Sequence, residues 1–148
     1  MRIVIQFDDF DVTAELALLR KAHPDAGALV SFVGAVRDIN LGSSVAEMTL
    51  EHYPGMTQHV LSAISERAMH RFDIVDVTIV HRIGRLYATD QIVLVAVASC
   101  HRQAAFAACE FIMDFLKTEA PFWKKEAGSN GSHWVDARPS GTVALGKW

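Results

Sequence analysis

Two β-rich runs followed directly by a long helical stripe constrain this chain most. Residues 75–83 and 91–99 are dominated by Val, Ile and Leu, the composition of strands. From 102 to about 117, Ala105, Cys109, Ile112 and Leu116 recur at helical spacing, with Phe106 and Met113 beside them, and Pro121 stops the pattern. An earlier helix spans 57–72 on Leu61, Ile64, Ala68 and Phe72. The opening Arg2-Ile3-Val4-Ile5 reads as a short strand. Asp11 caps a first helix, Glu15 faces its dipole, and Pro24 and Gly27 end it. Residues 28–36 and 45–53 are further strands, and Gly34 inside the first predicts a bulge or a close backbone approach. Residues 37–44 read as a mobile polar loop, and 84–90 as a connection too long for a tight hairpin. The order β-α-β-β-α-β-β-α predicts an α+β fold with a mainly antiparallel sheet. A length of 148 residues predicts a single domain over 1–148.

Charge excludes some functions. Fourteen basic against 17 acidic residues give a net charge of −3, without the basic excess that non-specific nucleic-acid binding requires. No nucleic-acid partner is expected. No apolar run approaches the roughly 18 residues of a membrane span, and the N-terminus has no signal-peptide core, so a cytoplasmic, membrane-free protein is expected. Cys100 and Cys109 are the only cysteines, both in apolar sequence surroundings, too few for a zinc ribbon or a disulfide scaffold. None of the seven histidines falls in an H-E-x-x-H spacing, so no metal site is expected. Cys100 and His101 are adjacent and point apart on an extended strand, which disfavours a nucleophile–base pair.

Three constellations can carry chemistry. Ser99-Cys100-His101-Arg102 leads a strand into a helix, where free N–H groups and two cationic side chains suit a phosphate. Its bland counterpart is a polar loop with a surface arginine. Lys117 sits at a helix C-terminus, a place that favours a cation on structural grounds alone. It is followed by Pro121-Phe122-Trp123-Lys124-Lys125-Glu126. Aromatic neighbours or a second cation lower a lysine's pKa and free its amine as base or nucleophile. Trp123 offers a face for a flat heterocycle. Arg37, next to the strand that contains Gly34, is a third and weaker anion ligand.

Together these stretches resemble the family of the catalytic, large subunit of molybdopterin synthase. The resemblance rests on Ser31-Phe32-Val33-Gly34-Ala35-Val36-Arg37-Asp38, Leu50-Glu51-His52-Tyr53-Pro54-Gly55-Met56, His81-Arg82-Ile83-Gly84-Arg85-Leu86, His101-Arg102-Gln103-Ala104-Ala105-Phe106, and Leu116-Lys117 through Glu126 with Trp134-Val135. It covers roughly 28–138 in a shared order and spacing. Departures are Leu50 where an aromatic is common, Thr57 where alanine is common, and Ala88-Thr89-Asp90 in place of a glycine-aspartate turn.

The resemblance implies an α/β-hammerhead fold with an additional antiparallel β subdomain. It implies conversion of cyclic pyranopterin monophosphate, precursor Z, to molybdopterin by installing two dithiolene sulfurs. The sulfur donor is then a small ubiquitin-like subunit ending in a Gly-Gly thiocarboxylate, and the assembly a heterotetramer built on a homodimer of large subunits. No cofactor is implied, since molybdenum enters later, and both cysteines are structural. By the same resemblance Lys117 and Lys124 are catalytic. Ala35, Val36, Arg37, His101, Arg102, Lys125, Glu126 and Arg138 join them in binding substrate. A non-catalytic homologue that binds a pterin phosphate or a ubiquitin-like tail is the alternative, and the intact lysines and Arg37 speak against it. The segment 140–148 carries no readable signal.

Overall fold

The computed structural model describes residues 1–40, 43–128, 131–135 and 144–148; for 39–40, 43–46, 125–128 and 131–135 it describes the backbone. A four-stranded sheet has the order β1 (Arg2–Gln6), β5 (Asp76–Arg82), β7 (Gln91–Ser99), β2 (Ala28–Ala35). Only β1 and β5 are parallel. A second, antiparallel sheet joins β3 (Ile39–Asn40), β4 (Ser43–His52), β8 (Phe122–Gly128) and β9 (Gly131–Val135), with β6 (Gly84–Tyr87) also paired to β4. The α+β expectation with an added antiparallel unit therefore holds.

The apolar run of β7 has no polar alternation because helices cover both faces of its sheet. Val93, Val95 and Val97 point toward α2 (Met56–Arg71) and α3 (Arg102–Glu119), where Leu61, Ile64, Phe111 and Ile112 meet them. Leu94, Ala96 and Ala98 point the other way, toward α1 (Val12–Ala22) through Leu19 and Phe10. Full burial of such an aliphatic side chain stabilises the fold by roughly 1.5–3 kcal/mol. The α3 stripe is buried as its spacing predicts, but Phe106 is 62% exposed. It lies on the outward side of α3, so helical period alone overstated the stripe.

Three sequence expectations change. Residues 84–90 are not merely a connection: β6 adds a strand to β4, with Leu50 opposite Gly84. Within 37–44, β3 pairs with the start of β4 as Ile39↔Ser44 and Asn40↔Ser43, while Leu41 and Gly42 lie outside the described residues. Phe122–Gly128, read from sequence only as part of a chemical constellation, is strand β8, paired antiparallel with β9. Gly34 does mark a bulge. The register shifts between Gly34 and Ala35, and a Cβ at Gly34 would stand 2.9 Å from Val93 Cγ1.

After β2 the chain crosses to the second sheet. Val36 packs with Met48, Leu50 and Leu86. Its N–H donates to the Asp90 carbonyl, and its own carbonyl accepts from Thr89 N–H. Tyr87–Asp90 is a tight turn in which Asp90 N–H donates to the Tyr87 carbonyl and the Asp90 carboxylate accepts from Tyr87 N–H. Its third residue, Thr89, has φ 75°. A turn of this kind favours Gly or Asn there, and a β-branched residue is strained. The departure noted at Ala88-Thr89-Asp90 thus has a physical cost. Thr89→Asn is expected to stabilise the protein by about 0.5–1 kcal/mol. A rise in the urea midpoint checks it; a fall would show that Thr89 makes a compensating contact.

Residues 144–148 fold back on the helices. The Trp148 indole sits edge-on to Phe72 and Phe111, at 5.8 and 5.5 Å, and its N–H donates to the Asp114 carboxylate at 2.6 Å.

Candidate functional site

Helix α3 separates the proposed cations into two groups. His101 is its N-cap and Arg102 its first residue, while Lys117 lies in its last turn. At 1.5 Å per residue, Arg102 and Lys117 are about 22 Å apart along the axis. Strand β2 separates them likewise. Ala28 pairs with Ser99 at the His101 end, and Ala35 pairs with Gln91 at the far end, leaving Arg37 beyond it. One chain therefore does not bring His101 and Arg102 to the lysines. This corrects the expectation of one cluster, because sequence order does not show which end of a helix meets which end of a sheet.

The Lys117 end is built by both sheets. On β8, Phe122 and Lys124 are two residues apart and share a face. They lie opposite His52 and Leu50 of β4, and paired residues share a face. Leu50 is buried against Val36, which directly precedes Arg37. Phe122 stacks on His81 of β5, with centroids 3.7 Å apart and planes 12° apart. Lys117 is near enough to His81 for its charge to act on the ring. Lys124 and Lys117 thus flank one junction between the two sheets, and Arg37 follows Val36 on the crossing between them. The backbone register continues through Lys125, opposite Thr49, and Glu126, opposite Met48. Arg37 and Lys117 are exposed, Lys124 is half-buried, Ala35 is exposed and Val36 is buried. Arg138 lies outside the described residues.

Thr57 anchors the entry to β8. Its hydroxyl donates to the Pro121 carbonyl at 3.2 Å and accepts from Tyr53 N–H at 3.1 Å. The alanine common at this position in the resembled family can make neither bond. Trp123 does not share the lysine face. As the neighbour of Lys124 on an extended strand it points to the opposite side, where it meets Tyr53 with centroids 4.6 Å apart. The aromatic group on the lysine face is Phe122.

His81 gives no local sign of its place in the sequence, where it is one of seven histidines outside any metal-binding spacing. It is 5% exposed. Its Nδ1 lies 2.8 Å from the Arg82 carbonyl. A carbonyl only accepts, so Nδ1 carries the proton. Burial pushes the pKa down to about 4; the Arg82 carbonyl opposes this, and the charges of His52 and Lys117 reinforce it. The ring is neutral at neutral pH.

At the other end, Gly27, Ala28, Cys100, His101, Arg102 and Gln103 line an open, polar pocket. Cys100 is exposed there, not in apolar surroundings, whereas Cys109 is buried and its thiol is pushed up to about 11 by desolvation. A Cβ on Gly27 would meet the Cys100 carbonyl oxygen at 2.7 Å, so glycine lets the two loops touch. Among the described residues no cluster of His, Cys, Asp and Glu is arranged to hold a metal, and no helix is long and apolar enough to cross a membrane.

The chain has clear relatives. Residues 5–119 match the model of the MoaE protein family. A molybdopterin synthase catalytic subunit from Ralstonia nicotianae is 59% identical over 99% of this chain and 83% of its own length. One from Vibrio cholerae is 52% identical over 99% of this chain and 97% of its own. The solved structure of a molybdopterin biosynthesis MoaE protein from Burkholderia ambifaria superposes with a TM-score of 0.87 at 56% identity, covering 99% of this chain and 97% of that one.

Proposed function

The chain belongs to the MoaE protein family, and from that premise we infer that it is the catalytic subunit of a molybdopterin synthase. It transfers sulfur to cyclic pyranopterin monophosphate and so forms the dithiolene of molybdopterin. The observation that supports this reading is the placement of Lys117 and Lys124 about the His81–Phe122 stack, where the two sheets meet, with Arg37 following Val36 on the crossing between them. A substrate with a phosphate, attacked by a thiocarboxylate, brings two negative charges to the same place. Fixed cations neutralise both and favour the charge that develops during attack. Lys117 acts as general acid/base or stabilises the oxyanion, and Lys124 orients the substrate. Lys125 and Glu126 follow on the same strand, and Arg138 joins them in binding substrate.

The donor is the C-terminal thiocarboxylate of a small ubiquitin-like subunit, and the reaction takes place in the cytoplasm. Its relatives are catalytic subunits, which supports a partner. A homodimer of the large subunit answers the separation along α3. His101 and Arg102 of one copy complete the site that holds Lys117 and Lys124 of the other, and the small subunits make the assembly a heterotetramer.

Wild-type protein, precursor Z and thiocarboxylated small subunit are expected to yield dithiolene. A well-folded protein that binds the small subunit yet makes no product would favour the non-catalytic binding module instead. Copies carrying Lys117→Ala and copies carrying Arg102→Ala, each inactive alone, test the shared site. Mixed and re-equilibrated, they should regain about a quarter of wild-type activity, because half the dimers are mixed and each holds one intact site. A mixture as inactive as its components would remove Arg102 from the site.

A further inference from the structure

We propose that His81 is a positioning residue, whose ring holds Phe122 in place and through it sets Lys124 against Lys117. The proposal rests on the reading of both lysines as catalytic.

His81 occupies the point where three elements meet. It stands on β5 of the first sheet and stacks, nearly parallel, on Phe122 of the second. Lys117 approaches from the last turn of α3. Its own orientation is fixed independently by the bond from Nδ1 to the Arg82 carbonyl. Phe122 also neighbours His52, its cross-strand partner, with centroids 6.4 Å apart. The Thr57 hydroxyl fixes Pro121 just before it. The start of β8 is therefore clamped by a ring and a hydrogen bond, and Lys124 follows Phe122 by two residues on the same face.

Chemistry also favours a histidine that stays neutral over either obvious substitute. A cationic side chain here would stand beside Lys117 and repel it. An aliphatic one would fill the volume but leave Phe122 free to tilt, since only a flat ring defines a plane for stacking. Small displacements of groups that act on one reacting centre have large effects on rate, so the clamp acts on turnover rather than on substrate affinity.

The test compares full-length wild type with His81→Phe, His81→Leu and Phe122→Leu. The first variant keeps a flat neutral ring; the other two remove the stack from either side while keeping apolar volume. Acetylation of Lys117 and Lys124 by an amine-reactive ester is followed across pH by mass spectrometry without substrate, with exposed Lys21 as internal reference. Both leucine variants should shift the profiles of Lys117 and Lys124 but not that of Lys21, and His81→Phe should match wild type. In the reconstituted assay the leucine variants should lose at least about tenfold in kcat with KM for precursor Z nearly unchanged, and His81→Phe should recover most of the loss.

Unchanged lysine profiles in folded leucine variants would overturn the proposal. So would a His81→Phe variant as impaired as His81→Leu, since the stack would then not be what matters. If one leucine variant fails to fold, the other decides. If both fail, His81 is a core residue and the proposal is wrong. Should wild type itself form no dithiolene, the reading of the protein as a synthase fails, while the lysine profiles still report whether His81 positions them.

Discussion

Lys117→Ala is expected to lower the rate of dithiolene formation by at least about a hundredfold, the usual loss when a group that stabilises developing charge or moves a proton is removed. The loss should fall on kcat, with binding of the small subunit unchanged. Stability should barely change, because Lys117 is exposed and its interaction with the helix dipole is worth at most about 1 kcal/mol. Lys117→Arg separates the two roles open to the amine. Arginine keeps the charge but does not release a proton near neutral pH. Substantial recovery by arginine identifies charge stabilisation; an arginine variant as inactive as alanine identifies proton transfer. Single-turnover assays alongside thermal melts check the prediction. Full activity in Lys117→Ala at normal partner affinity would remove this residue from the chemistry and, with it, the main support for the proposed site.

The second large effect is on stability against pH, and it comes from His81. In the unfolded chain this residue titrates near 6.5; in the folded protein it titrates at about 4. Between those values the unfolded chain holds a proton that the native protein refuses. Stability is therefore fully present above pH 6.5 and is lost as the pH falls toward 4. The slope approaches 1.4 kcal/mol per pH unit, for a total of about 3 kcal/mol. Two carboxylates lose their contributions lower, as pH falls through folded values below 3.8. Asp9 is held low first by its bond from Gln91. Burial would raise Asp76, but bonds from the N-terminal amine, Val77 and His23 outweigh it. Among the described residues, the window from 6.5 to 4 thus reads His81. Urea unfolding at pH 7 and pH 5 should show wild type losing about 2 kcal/mol and His81→Phe losing far less. Equal losses in the two proteins would mean that the histidine does not stay neutral when buried.

Residues with a local signature were legible from sequence. Asp11 caps α1 through its side chain, accepting from Ala14 N–H. Gly34 marks the bulge, and Leu61, Ile64 and Ala68 form the buried face of α2. In the second sheet β4 was legible as the strand predicted over 45–53, but its partners β6 and β8 were not. Gly84–Tyr87 is too short to alternate recognisably, and Phe122–Gly128 carries Lys124, Lys125 and Glu126 in succession, which breaks any apolar–polar alternation. Their strand character comes from pairing with β4, a non-local cause. The site shows the same limit. Lysine, arginine and histidine types pointed to anion chemistry and the predicted helix put His101 and Lys117 at its two ends, but only the return of α3 along its sheet shows which end lies with Arg37. His81 was hidden because a polar residue within an apolar strand gives no local sign of what it will stack against.

The order of the sheet strands also has a consequence in time. Arg2 pairs with Thr78, Ala28 with Ser99, and Leu50 with Lys124. Each ladder waits for chain that is made much later, and long loops must close before any of those pairings stabilises the fold. A nascent chain that ends before Phe122 lacks the neighbour that β4 pairs with along most of its length, and presents an open strand edge of the kind that invites association. Lys124 therefore joins Lys117 only when a late stretch of chain has arrived and paired with β4, so folding should be slow for a protein of this size.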